Sequence, residues 1–238
     1  MSSGWQRNER DRLIAEASHA RHRGRIRKAI ALYRRILVEE PGNAEVAVRL
    51  APLVASRGEH FEAWLLFRDV ARRLLAEQRY EQCLAVAREA CRFVPGEFDA
   101  WRLRADLELK LGRERAAFET LLEARSVFSS VRTGAQAIAL LVRARGIEPW
   151  DPQVCIDLAR LYARSDRVQA ACELLNGLEG RVVGRDLRRV RALQWRLTLS
   201  FEHAWRWLQA AIGLGADARA GASATTCFTA SEDTPRLR

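Results

Sequence analysis

PGEFDAWRLRADLELKLGRERAAFETLL, residues 95–122, is the stretch whose reading decides the fold. Pro95-Gly96 is a stop signal, because proline cannot continue a helix and glycine tolerates the left-handed turn. A run with Trp101 and Ala105 follows, Gly112 breaks it, and a second run carries Ala117 and Leu121. Trp101 to Leu111 alternates apolar and polar without a slip, which is the pattern of a strand. No residue in that window is β-branched and most are strong helix formers, so composition overrides the alternation and predicts a helix. On that helix Trp101, Ala105 and Leu109 form one apolar stripe, and Leu103, Leu107 and Leu111 a nearly opposite one. Arg102, Asp106 and Lys110 form the polar stripe left over. A helix apolar on two sides is expected to lie between two neighbours.

The same punctuation recurs outward from this stretch. Pro41, Pro95 and Pro149 stand 54 residues apart. On that shift Ala51, Ala105 and Ala159 correspond, as do Ala63, Ala117 and Ala171, and Ala29, Cys83 and Ala137. Phe67, Leu121 and Leu175 correspond, and Gly58 and Gly112 match Asp166. Small residues let helices approach closely, and large ones fill the space between pairs. Helical runs are expected at about 7–22, 26–38, 44–57, 60–77, 80–93, 98–111, 114–128, 133–145, 152–164, 167–178 and 190–212. Asn43 and Asp151-Pro152 read as helix starts. Pro52 should kink or shorten its helix.

Within each period the residues resemble a tetratricopeptide repeat, a helix–turn–helix of about 34 residues with an aromatic, two small positions, another aromatic and a closing proline. The organising stretch contributes Trp101, Ala105, Gly112, Ala117 and Leu121. Leu13, Ala17, Gly24, Ala29, Tyr33 and Pro41 contribute earlier, and Leu158, Ala159, Tyr162, Ala171 and Leu175 later. The resemblance spans roughly residues 10–180. It implies an all-α fold: an α-solenoid of antiparallel helix pairs in a right-handed superhelix, with about 11–12 helices. The resemblance is to bacterial helical-repeat proteins of this kind. One departure is visible. The small residues at 29, 63, 83, 117, 137 and 171 are spaced alternately by 34 and 20. Three helices per period follow, flipping which side carries the inner helices. Residues 1–6 are expected to fray, 7–182 to form the repeats, and 183–213 to cap them, with Trp195, Phe201, Trp205 and Trp207 as apolar cover. The tail 214–238 is expected to be disordered.

Composition narrows the function classes. The chain has 238 residues, is 48% hydrophobic and carries a net charge of +10. Lys28 and Lys110 are its lysines, so 38 of the 40 basic residues are arginines, a skew that a GC-rich genome produces. Five cysteines without a CxxC fit a reducing compartment. No signal-peptide pattern opens the chain, and the longest apolar run, Ala137 to Val142, is too short for a membrane span. A cytoplasmic location is expected.

No chemistry-bearing constellation stands out. His19, His22, His60 and His203 pair with no cysteine at metal-ligand spacing, and no HExxH, phosphate loop or GxSxG occurs. No catalytic residue, metal or cofactor is expected. Some tetratricopeptide domains hold C-terminal carboxylates in a lysine, arginine and asparagine clamp. The matching positions here are Ile14, Ser18 and Arg49, which lack the asparagines, so that activity is not carried over. The leading expectation is a non-catalytic scaffold for protein partners. Its candidate partner face comprises Arg21, Arg49, Arg102, Asp106, Lys110, Arg160 and Arg164. Its packing positions are Ala29, Pro41, Ala51, Ala63, Phe67, Pro95, Trp101, Ala105, Gly112, Ala117, Pro149, Ala159 and Ala171. Two alternatives stand beside it: a nucleic-acid-binding helical-repeat protein using the arginine-rich surface, and an accessory subunit of a bacterial envelope or secretion assembly. The densest basic stretch, Arg21 to Arg35, suits phosphates or an acidic protein segment equally.

Overall fold

A computed structural model describes residues 2–198 and the isolated residue Leu208, with side chains from Asn8 onward. Phe201, His203, Trp205, Trp207, Cys227, the second half of the expected cap and the tail lie outside the described residues. Eleven α-helices and one 3₁₀ turn are described: α1 Ser2–His22, α2 Ile26–Glu39, α3 Ala44–Ala55, α4 His60–Ala76, α5 Tyr80–Phe93, α6 Phe98–Lys110, α7 Glu114–Val127, the turn Val131–Thr133, α8 Gly134–Ile147, α9 Pro152–Arg164, α10 Val168–Glu179 and α11 Gly184–Thr198. There is no strand among the described residues. The alternating stretch is the helix α6.

The helix starts keep the repeat to the residue. α2, α5 and α8 begin at 26, 80 and 134; α3, α6 and α9 at 44, 98 and 152; α4, α7 and α10 at 60, 114 and 168. Each 54-residue period therefore holds three helices. The turns repeat too. Gly58, Gly112 and Asp166 adopt left-handed backbone with φ of 84°, 72° and 56°, as do Gly24 and Gln78 at 71° and 58°. Glycine takes this conformation without the Cβ clash that other residues bear. Asn43 and Asp151 cap α3 and α9 by accepting from the amides of Val46 at 3.1 Å and Val154 at 2.8 Å.

Two compact units divide the chain, Met1–Pro149 and Trp150–Arg238. In the first, successive helices from α1 to α8 pack in sequence. Ala17, Ala29, Ala51, Ala63, Cys83, Ala105 and Ala117 have no exposed surface at their contacts. Phe67 and Trp101 are also buried. Trp101 Nε1 donates to the Pro95 carbonyl at 2.8 Å, tying the organising helix to its own entry turn. Pro41 and Gly42 form the equivalent entry to α3. There Arg73 donates to the Pro41 carbonyl at 3.2 Å and lies against Gly42. Pro41, Pro95, Gly112 and Pro149 are exposed turn residues.

In the second unit α10 packs on α9, and α11 covers both. Ala159, Ala171, Leu158 and Leu175 are fully buried. Trp150 lies against Gly177, whose missing Cβ would meet the ring at 3.2 Å, and Arg181 stacks over that ring at 4.0 Å. Arg73 and Arg181 are 54-residue equivalents of a kind, two periods apart, each packed on the turn of its own copy.

Three details depart from the sequence reading. The first run was expected from about 7, after frayed residues, and the terminal run from 190, whereas α1 opens at Ser2 and α11 at Gly184. α3 keeps Pro52 inside it and ends at Ala55, where Ser56 Oγ takes the Leu53 carbonyl at 2.7 Å. Along α6, Ala105 and Leu107 are buried but Leu109 is 36% exposed, so the first apolar stripe stops one turn early. Replacing Ala117 with leucine should overpack the α6–α7 contact and destabilise by about 1–3 kcal/mol. Replacing Gln78 with glycine should relieve left-handed strain and stabilise by about 1 kcal/mol. Urea unfolding of the two variants followed by circular dichroism checks both, and a neutral Ala117→Leu would deny the close contact.

Candidate interaction surface

α6 presents one exposed polar edge. Arg102 pairs with Asp99 one turn before it at 3.1 Å. Asp106 pairs with Arg143 of α8. Lys110 Nζ stands 4.2 Å over the ring of Tyr80, at the start of α5. Burial, and then the neighbouring Arg102 charge, hold the Arg143 guanidinium below its ordinary pKa. That ordinary value is so high that Arg143 stays cationic and keeps its ion pair. Leu109, Glu114, Arg143, Gly146 and Ile147 line a shallow cleft between α6 and α8, with α7 at its end. The edge is thus charged along α6 and apolar at Leu109 and Ile147.

The other candidate residues are not gathered there. Arg49 on α3 pairs with Glu45 at 2.6 Å and is half-buried. By the 54-residue shift its register is that of Leu103, not Arg102. Val48, Pro52 and Ser56 stand at the register of the α6 edge in the first copy. Arg160 and Arg164 hold that register in α9; Arg160 pairs with Asp157 at 3.3 Å, and Arg164 is exposed. Arg21 is exposed at the end of α1. The mixed-sign edge of α6 is therefore a property of one copy.

Sequence reasoning missed a polar cluster on the opposite face of α6. Glu108 is fully buried. Its carboxyl accepts from Thr120 Oγ1 of α7 at 2.7 Å, from Arg104 Nε at 3.3 Å and from Arg88 of α5 at 3.4 Å. Arg104 also reaches Glu123 at 3.2 Å. The signal lay in the repeat. Arg104, Glu108 and Thr120 stand where the first copy has Leu50, Val54 and Leu66, and the third has Leu158, Tyr162 and Leu174. Read singly, Glu108 is one more polar residue of an alternating run. Compared across copies, it is a carboxylate at a core position. Cys91 lies beside this cluster, and burial pushes its thiol up to about 12. Burial likewise pushes Cys83 up to about 11, and its Sγ–H points to the Ala71 carbonyl at 3.5 Å.

The second unit holds a comparable cluster. Arg191 Nε donates to Glu179 at 2.9 Å, and Gln194 Nε2 donates to Asn176 at 2.8 Å, fastening α11 to α10. Among the described residues no three His, Cys, Asp or Glu side chains gather so as to hold a metal ion. No described helix is long and apolar enough to cross a membrane.

Residues 133–196 match the family model described as Tetratricopeptide repeat, a span running from the start of α8 into α11. No curated protein matches the sequence. Among solved structures, a tetratricopeptide repeat protein from Parabacteroides merdae is similar, with 14% identity over 90% of this chain and 96% of that one, at a TM-score of 0.30. PilF of Pseudomonas aeruginosa is 18% identical over 88% and 91%, at 0.30. MamA of Desulfovibrio magneticus is 14% identical over 72% and 93%, at 0.27. Superpositions of this quality transfer neither geometry nor partners.

Two measurements follow from the buried cluster. Glu108→Ala should cost about 3 kcal/mol, because it leaves Arg104 and Thr120 without their shared acceptor. The triple change Arg104→Leu, Glu108→Val and Thr120→Leu, which copies the first repeat, should recover most of that loss. Chemical denaturation of both variants decides it, and a triple variant no better than the single one would refute the cluster's role. At pH 8, a mass-mapped thiol reagent should modify Cys172, which is partly exposed, well before Cys83 and Cys91, which should react only on unfolding.

Proposed function

We propose that this chain, built of tetratricopeptide-type helix pairs, is a non-catalytic scaffold that holds protein partners in the cytoplasm. The observation that supports the reading best is the exposed edge of α6. Its flanks are committed to α5 and α7, yet Arg102, Asp106 and Lys110 with the adjoining Leu109 remain open. An edge that mixes both charge signs with apolar surface suits a protein segment better than a uniform polyanion. Residues 7–182 would form the repeat body and 183–213 its cap, with the 214–238 tail outside both. Arg21 and Arg49 would add contacts from α1 and α3, and Arg160 and Arg164 would form a contact of their own on α9.

Affinity capture of the tagged full chain from its native cells, quantified by mass spectrometry, tests the reading. At least one protein should be enriched over a tag-only control. Enrichment should fall several-fold in the double variant Arg102→Glu, Lys110→Glu, which keeps the core intact. Enrichment of nothing above background would refute it.

A further inference from the structure

The charges of the first helix pair are sorted in a way the later copies are not. Between Glu16 and Glu39 there is no Asp or Glu, while Arg21, Arg23, Arg25, Arg27, Lys28, Arg34 and Arg35 all fall in that interval. The fold compensates three of these from outside it. Lys28 pairs with Glu16 at 2.7 Å, Arg34 with Glu59 and Glu62 at 2.9 Å each, and Arg35 with Glu9 at 3.4 Å. Arg21, Arg23, Arg25 and Arg27, around the turn from α1 to α2, are exposed and have no ion pair among the described residues.

The equivalent turn one period on is balanced. One period on, Arg23, Gly24, Arg25 and Arg27 become Glu77, Gln78, Arg79 and Glu81. There Arg79 pairs with Glu77 at 2.9 Å, and Glu81 takes Arg113 at 2.5 Å. At the turn from α3 to α4, Arg57 pairs with Glu59 at 3.5 Å. Codon composition explains many arginines, but it does not explain why four exposed ones are gathered at one turn with no carboxylate paired to them among the described residues. Four guanidinium groups so close in the chain repel one another, and an anion bound from outside relieves that repulsion.

We propose that the α1–α2 turn is a docking surface for a short acidic peptide segment of a partner protein, gripped by Arg21, Arg23, Arg25 and Arg27. The proposal rests on the scaffold reading and names the partner's chemistry. Guanidinium groups engage carboxylates in paired, geometrically specific contacts. The patch is also short. The far end of the same helix pair carries Glu9, Asp11, Glu39 and Glu40, so the positive track does not continue along it. Nor does the turn offer a base-stacking ring: Tyr33 is buried and its hydroxyl bonds Ser18 at 3.2 Å. A nucleic acid favours an extended cationic track with aromatic platforms. A few consecutive carboxylates need only this turn.

The test uses the full chain in about 0.15 M salt, where only close charge contacts survive screening. A fluorescein-labelled oligoglutamate of about six residues and a random DNA duplex are titrated against it separately. The variant R21Q/R23Q/R25Q/R27Q is compared with the control R132Q/R167Q/R185Q/R188Q, which removes the same charge from other exposed positions. Circular dichroism checks that both variants keep the helical spectrum, and the pair R21Q/R25Q stands in if the fourfold variant does not. Oligoglutamate affinity should fall by about tenfold or more in the turn variant and by less than about threefold in the control. Equal weakening in the two variants, no oligoglutamate binding by the unaltered chain, or tighter binding to the duplex would overturn the assignment. Partner capture that persists unchanged in the turn variant overturns it too, while leaving the scaffold reading intact. Capture that fails altogether removes that reading and this one together.

Discussion

The structure depends on how closely its helices approach at a few small side chains. Ala29, Ala63, Cys83, Ala117, Ala137 and Ala171 occupy one position in six helices and are buried to within 2% of completely. A larger side chain at any of them would separate two backbones that the rest of the packing holds together. Because each contact joins sequence neighbours, the cost of ordering one helix is offset by the helix beside it. Long-range chain closure is not needed. The same arrangement explains the period: three helices fit between one proline turn and the next, so the small residues fall at alternating spacings of 34 and 20.

The buried Glu108 cluster is set against this apolar regularity. Two copies fill the site with Leu50, Val54 and Leu66, or with Leu158, Tyr162 and Leu174. The middle copy fills it with an ion pair and a hydroxyl. Such a site stabilises little when compared with hydrocarbon of the same volume, but it penalises any misaligned pairing that would strand a charge. In a chain whose copies resemble one another, that penalty discriminates the correct neighbour of α6 from its equivalents. The Arg191–Glu179 and Gln194–Asn176 contacts do the same for α11, where the repeat pattern has faded and apolar periodicity no longer specifies the register.

Charge is distributed by the same logic of copies. Several arginines are met by carboxylates of neighbouring helices, as Arg34 is by Glu59 and Glu62, or Arg113 by Glu81. Pairs of this kind on the surface contribute little to stability. They do set which cations remain available. The α6 edge and the α1–α2 turn differ in this respect: the first mixes signs and joins apolar surface, and the second is uniformly positive. Two surfaces of different chemistry on one scaffold are suited to different segments of partners.

The sequence by itself determined the helices α2 to α10, their starts to within about a residue, and the three-per-period arrangement. All of these are local: helical periodicity, proline and glycine geometry and residue size act within a few positions of the chain. It also separated the helix α6 from the strand that its alternation suggested, because side-chain branching is a local property too. Only the tertiary structure decided that Glu108 is buried while Leu109, its neighbour, is exposed. It alone decided which arginines meet a carboxylate and which do not. Burial and cross-helix pairing depend on what another helix places opposite a residue: Thr120 meets Glu108 from 12 positions away, and Arg143 meets Asp106 from 37. No window along the chain contains that information.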